Sequence, residues 1–441
     1  MAIKAKIMTV LSVAALCCTA GMASATPKIQ HWQSESGAKV LFVEDHNIPM
    51  LDVSVNFAAG SSFDAVDKAG VASLTRRMLA LGVAGMSEDE ISTGMADIGA
   101  VLGGDFSQDM AGISVRTLSQ VEVRDQALDI MARVLQTPVF PEDVLSREKA
   151  RKIAALKEAE TKPGSIADKA FRKAIYGDHP YGLMSEVESV EKISVADLKD
   201  FYRTHYNPGK AVVAIMGDVS RQLAEKIADN LTTKLPASDA KHELPEVAMQ
   251  IAPSEQRIEH PATQSHILVG SPGMSRKDPD YKVLYVGNYI LGGGGFVSRL
   301  MEEVREKRGL AYSVYSYFMP LKQLGVFQIG LQTKKEQADE ALQLVRKTLS
   351  EFIEHGPTDK ELQAAKDNLI GGFPLRINSN RKIISYLGVI GYYDLPLTYL
   401  DDFADEVESI TVEQIQDAFS RRIDPEAMAT VIVGAPEVAT E

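Results

Sequence analysis

The chain's eight histidines are weighed first, because two imidazoles three or four residues apart on a helix place two metal ligands on one face. His31, His46, His179, His205, His242, His260, His266 and His355 contain no such pair. His260 and His266 stand six apart with Pro261 between them, a poor pair for zinc, so each histidine reads singly as a surface or packing residue. Both cysteines, Cys17 and Cys18, fall in an apolar N-terminal run, which leaves no disulfide or thiolate-bound metal to expect downstream. There is no G-x-S-x-G elbow, no phosphate loop with its lysine and no dinucleotide fingerprint. Gly292, Gly293, Gly294 and Gly295 form a glycine-rich run, but it follows a helical stretch and no Lys-Ser/Thr succeeds it, so phosphate binding is not expected.

The elements that would carry any chemistry come in two similar sets. With 441 residues, the chain is long enough for two domains. Its net charge of -13 argues against a nucleic-acid surface. Lys4 and Lys6 precede an apolar run from Ile7 to Ala20 and the small-residue site Ala23-Ser24-Ala25, the pattern of an export signal over residues 1–25 cleaved before Thr26. A periplasmic or released protein with no membrane span is therefore expected. Ile193-Ser194-Val195, Leu198, Tyr202, Asn207-Pro208 and Val212-Val213 through Gly217 recur 217 positions later as Ile410-Thr411-Val412, Ile415, Phe419, Asp424-Pro425 and Ala429-Thr430 through Gly434. Each copy reads as a helix opened by Ser194 or Thr411, a proline break and a β-branched strand. Residues 236–255 carry Pro236, Pro245 and Pro253 with no sustained period and read as the linker between halves at 26–235 and 256–441. Asp52 to Phe57 alternates as a strand does, and Ser87/Glu90 and Thr358/Glu361 form capping boxes. An α+β fold follows, each half a sheet covered on one face by helices.

The run Asn288-Tyr289-Ile290-Leu291-Gly292-Gly293-Gly294-Gly295-Phe296, then Ser298-Arg299-Leu300, then Arg305-Glu306-Lys307-Arg308-Gly309-Leu310-Ala311-Tyr312, resembles the C-terminal half of the inverted-motif zinc peptidases of family M16. That family includes pitrilysin, insulin-degrading enzyme and the mitochondrial processing peptidase. His179-Pro180-Tyr181-Gly182 and the two-half organisation resemble it as well, over essentially the whole chain after the leader. For the N-terminal half the resemblance implies an H-x-x-E-H helix with a glutamate ligand downstream. Here Ser73 and Arg77 stand at the two histidines, Arg76 at the glutamate and Ala155 at the third ligand. Guanidiniums that keep their protons repel a cation, so no metal is expected in this chain. Glu158, one helical turn from Ala155, reads as part of a solvated face.

For the C-terminal half the resemblance implies that Arg305 and Tyr312 reach across a closed cleft to the zinc site of an opposing subunit. Tyr312 would donate to the oxyanion and Arg305 would hold a substrate carbonyl or carboxylate. Arg308 competes with Arg305 for that role, and both Arg305 and Tyr312 also admit a plain surface or packing reading. Phe296, Leu300 and Val304 recur every four residues and predict an amphipathic helix, ended by Gly309 and followed by a strand from Ala311 to Phe318. Gly292 to Gly295 with Phe296 is either a substrate contact or a simple turn. The implied assembly is a clam-like heterodimer with a catalytic M16 paralogue. The resemblance implies that the partner carries the zinc, that peptides are the substrates and that this chain is inactive alone. A peptide-binding chamber and a structural scaffold remain as alternatives.

Overall fold

The computed structural model describes residues 28–240 and 243–434. The expected leader with Cys17, Cys18 and its cleavage point, and His242, lie outside the described residues. The first half contains β1 (Gln30–Gln33), β2 (Lys39–Glu44), β3 (Met50–Phe57), the short hairpin β4 (Gly82–Val83) and β5 (Met86–Ser87), β6 (Val101–Gly103), β7 (Ala111–Leu118) and β8 (Val212–Gly217). The second contains β9 (Ser254–Ile258), β10 (Gln264–Pro272), β11 (Ala311–Met319), β12 (Val326–Lys334) and β13 (Ala429–Val433). Their two large sheets run β1-β2-β8-β3-β7-β6 and β11-β12-β10-β13-β9. Reading the second backwards matches it strand for strand to β2-β8-β3-β7-β6. In each, one parallel pair, β2 with β8 or β13 with β9, adjoins an antiparallel remainder. The helices Val195–His205 and Val412–Arg422 begin 217 residues apart and carry capping boxes at Ser194 and Thr411. Pro163–Tyr176 and Asn380–Tyr392 begin at the same offset.

The expectation of one covered face per sheet is corrected by those last two helices. Pro163–Tyr176, from the first half, lies on β10 and β13 of the second sheet, and Asn380–Tyr392, from the second half, lies on β8, β3 and β2 of the first. The strands show why. Along β2, Val40 and Phe42 enter the first half's own core, while Leu41 and Val43 point the other way into the core built around the second half's helices. β8 divides likewise, with Val213 and Ile215 on one side and Val212, Ala214 and Met216 on the other. A strand buried on both faces reads as a continuous apolar run. β3 is buried the same way, and its polar Asp52 and Asn56 are interior too, Asp52 accepting two hydrogen bonds from Arg116 at 2.8 and 3.1 Å. The alternation from Asp52 to Phe57 thus marks a strand whose second face is covered by protein rather than by water.

The halves are further joined at one buried carboxylate. Asp109, fully buried in the loop before β7, accepts from the Tyr181 hydroxyl at 2.6 Å, the Tyr393 hydroxyl at 2.7 Å and the Lys322 amide at 2.8 Å. Its own carbonyl accepts from the Tyr392 hydroxyl at 2.8 Å. Three of these four donors belong to the second half. Tyr181 also accepts from the Gln323 amide at its hydroxyl, and His179 Nδ1 accepts from the Tyr181 amide, so the His179-Pro180-Tyr181-Gly182 motif serves this junction. The 236–255 segment is held down as well. Leu244, Val247 and Ile251 pack against the cluster around Phe171, the Leu244 carbonyl accepts from Gln323, and Ser254 and Glu255 already belong to β9.

Candidate functional site

The stretch aligned with a zinc motif is a helix, Val71–Met78, whose buried stripe is Val71, Ala72, Leu74, Thr75 and Met78. Gly70 before it is left-handed, and the helix start is capped by Asp64, which accepts from the Gly70 and Ala72 amides at 2.7 Å each. Burial pushes the Asp64 carboxyl up to about 6, against the pull of those amides and of the Lys152 ammonium. The other face carries the aligned positions. Ser73 Oγ donates to the Gly70 carbonyl and accepts from Lys152 at 2.8 Å. Arg76 turns away to the β6–β7 region, donating to the carbonyls of Gly104 at 2.7 Å and Gly112 at 3.1 Å. Arg77 meets the buried Glu148 at 3.3 Å, which Arg147 and Arg151 also approach at 3.2 Å. Ala155 is exposed on the Glu142–Ala159 helix, and Glu158 is exposed beside Lys162 at 2.7 Å.

This donor set does not fit zinc. Serine, two arginines and alanine supply no imidazole or free carboxylate, and an ammonium touches the first position. Among the described residues no group of three His, Cys, Asp or Glu side chains is placed to hold a metal ion.

The second half builds its candidate site around β11. Asn288 donates to the Ser316 carbonyl at 3.1 Å and accepts from Ser316 Oγ at 2.7 Å, pinning the glycine run to that strand. A Cβ on Gly292 would lie 2.4 Å from Ser316 Oγ and 2.6 Å from its amide nitrogen, so no other residue fits there. Gly292 is consequently buried in packing, while Gly293, Gly295 and Phe296 reach the surface. Ser298 Oγ donates to the Gly295 carbonyl, and Arg299 clasps Glu361 at 2.6 and 2.7 Å. The predicted Phe296-Leu300-Val304 stripe needs correction. Leu300 and Val304 are buried, but Phe296 sits in a separate tight turn, Gly295–Val297, and is 67% exposed. The turns from Met301 to Glu306 are wider than an α-helix, and Gly309, at φ +63°, ends them.

The exposed Phe296 ring has an arginine over it. The Arg305 guanidinium lies 4.8 Å from the Phe296 ring centre and 5.1 Å from that of Tyr312, within cation–π range of both. Tyr312 stands where β11 spends one residue more than β12, between the pairs Ala311↔Thr333 and Val314↔Leu331. Such a bulge re-aims side chains, and Tyr312 is 81% exposed, its hydroxyl making no hydrogen bond among the described residues. Arg308 is engaged elsewhere, donating to the carbonyl and carboxylate of Glu303. Beside Tyr312 opens a cavity of about 440 Å³, lined also by Asp168, His266 and Tyr315.

The Arg299–Glu361 clasp supports the segment carrying Arg305. Burial raises the Glu361 carboxyl, but the Arg299 guanidinium and the Thr358 cap outweigh it and hold the group at about 2. A depressed carboxylate stabilises the fold above its unfolded value and loses that contribution as pH falls towards the folded one. Glu361→Gln is expected to cost about 1–3 kcal/mol at pH 7 in urea denaturation, discounted for its partial exposure, and the cost should shrink steadily below about pH 4.5. An equal cost at pH 7 and pH 3 would contradict it.

Two family profiles match this architecture. The profile described as "Insulinase (Peptidase family M16)" covers residues 39–186, and the one described as "Peptidase M16 inactive domain" covers residues 192–369. A solved M16 inactive domain from Pseudomonas fluorescens is 41% identical, superposes with a TM-score of 0.89 and covers 94% of this chain and 99% of its own. The chain belongs to the M16 peptidase family, in a form without the zinc motif. It is 29% identical over 394 residues to the "Non-peptidase homolog YmxG" of Helicobacter pylori, covering 87% of this chain and 89% of that protein. It is also 24% identical over 414 residues to the "Uncharacterized zinc protease YmxG" of Bacillus subtilis, covering 92% and 98%. A periplasmic protease of Escherichia coli, PqqL, shares the fold at 15% identity and a TM-score of 0.79, with this chain matching 46% of its length.

Proposed function

We propose that this chain is the non-metal subunit of a heterodimeric M16 metallopeptidase, exported to the periplasm, that lends Arg305 and Tyr312 to a partner's zinc site. The observation that carries the reading is the contrast between the two halves. The zinc positions are filled by Ser73, Arg76, Arg77 and Ala155, whereas Arg305 is stacked in place and the Tyr312 hydroxyl is left free towards solvent. In the partner, bound zinc would supply an activated water for attack on the peptide carbonyl. Tyr312 then donates its hydrogen bond to the oxyanion that develops, and Arg305, held by two rings, pairs with a substrate carbonyl or carboxylate. Closing the cleft excludes water and strengthens both contacts.

The cavity beside Tyr312 favours a second reading, a peptide-binding chamber that does not cut. One experiment separates the two. Peptide hydrolysis and zinc content are measured for this chain, for an H-x-x-E-H relative from the same genome, and for their mixture. The expected result is cleavage by the mixture alone, with the zinc travelling with the relative. A mixture that cleaves no faster than the relative by itself removes the accessory-subunit reading.

A further inference from the structure

The aligned motif names four lost positions, but the structure points to a fifth residue that no motif comparison includes. Lys152 lies on the Glu142–Ala159 helix, four residues after Glu148 and three before Ala155, so the three fall along one side of that helix, Glu148 and Lys152 against the Val71–Met78 helix and Ala155 exposed one turn further on. Glu148 reaches Arg77 across that gap, and Lys152 reaches Ser73. Its stem passes so close to the helix start that a Cβ on Gly70 would lie 3.1 Å from Lys152 Cε. The ammonium donates to Ser73 Oγ at 2.8 Å, and that hydroxyl in turn donates a hydrogen bond to the Gly70 carbonyl. The nearby Asp64 carboxylate, anchored by the Gly70 and Ala72 amides, supplies the countercharge, and burial disfavours the charged form of Lys152.

We infer that Lys152 is an internal cation that has taken over the space between these two helices and closes it to metal, independently of the lost ligands. A zinc ion held by side chains at positions 73, 77 and 155 would have to sit beside this ammonium, and like charges in a partly desolvated gap repel strongly. Restoring the four motif positions is therefore not enough to restore metal binding. The inference concerns this chain's own degenerate site and stands whether or not the protein has a catalytic partner.

The test is made on the full chain, with zinc chloride as the probe and a competing chelator to set the free concentration. One variant carries Ser73→His, Arg76→Glu, Arg77→His and Ala155→Glu; a second adds Lys152→Gln. The five-change protein should bind one zinc per chain at least 100-fold more tightly than the four-change protein. Equal affinity overturns the inference, as does a folded five-change protein that stays empty. Labelling of the natural protein by acetic anhydride, read by peptide mass spectrometry, covers the case in which either variant misfolds. Lys152 should react at least tenfold more slowly than the exposed Lys157, and Ser73→Ala should speed it. A Lys152 as reactive as Lys157 overturns the inference by itself.

Discussion

With Phe at position 312, hydrolysis by the mixed enzyme is expected to fall about 10²- to 10³-fold, roughly 3–4 kcal/mol of transition-state stabilisation, while the complex still forms. The loss should appear in kcat and in kcat/KM equally, because the hydroxyl meets its partner only when negative charge develops. A packing role would give the opposite pattern. Tyr312 is 81% exposed and its hydroxyl has no hydrogen-bond partner among the described residues, so its removal should leave this chain's melting temperature within about 2 °C. Arg305→Ala should also slow the reaction, with KM rising as well, since the guanidinium is assigned to a group that substrate carries from the start. Unchanged kcat in Tyr312→Phe, at full occupancy of the complex, would refute the assignment.

The largest loss of stability is expected at Asp109. Its replacement by Ala strands the hydroxyls of Tyr181 and Tyr393 and the amide of Lys322, three donors that converge on a carboxylate with no exposure to water. Buried donors left without acceptors cost about 1–3 kcal/mol each, with partial relief where a hydroxyl can rotate. Asp109→Ala should therefore lose about 3–5 kcal/mol in urea denaturation. Asp109→Asn keeps the volume and one acceptor and should lose less. Because the donors come from both halves, the variant is also expected to broaden the transition, with fluorescence and circular dichroism no longer coincident. A loss below 1 kcal/mol with a single sharp transition would show that the junction is held by the apolar contacts alone.

Much of the architecture is legible in the chain. Proline breaks, capping residues and the 217-residue recurrence lead to the helices Val195–His205 and Val412–Arg422 and the strands after them. Thr358 and Glu361 form their capping box, and Gly309 ends its helical segment as its left-handed preference suggests. Ser73, Arg76, Arg77 and Ala155 carry the absence of zinc ligands on their identities alone. What the sequence hides is which face meets what. Nothing in Pro163–Tyr176 or Asn380–Tyr392 says that each covers the other half's sheet, since an amphipathic stripe specifies apolar company and not its source. Phe296 falls on the apolar stripe by spacing alone, which counts positions and not the turn at Gly295–Val297. Asp109 and Lys152 gave no signal, being single polar residues whose importance comes from groups distant in the chain.

The crossed helices bear on how such a chain came to exist. Divided within residues 236–255, either half would leave bare the sheet face that the other's helix now covers, including Leu41, Val43, Val212 and Ala214 in the first. A half-length precursor with the same helix would have had that problem from the outset, and its simplest remedy is a second copy offering its own helix in exchange. Two identical chains trading one helix each form a closed, symmetric pair. Fusing them makes the trade intramolecular and frees the halves to diverge, so that one can fill the positions aligned with a zinc motif with serine, arginine and alanine while the other keeps a half-buried arginine beside an exposed tyrosine.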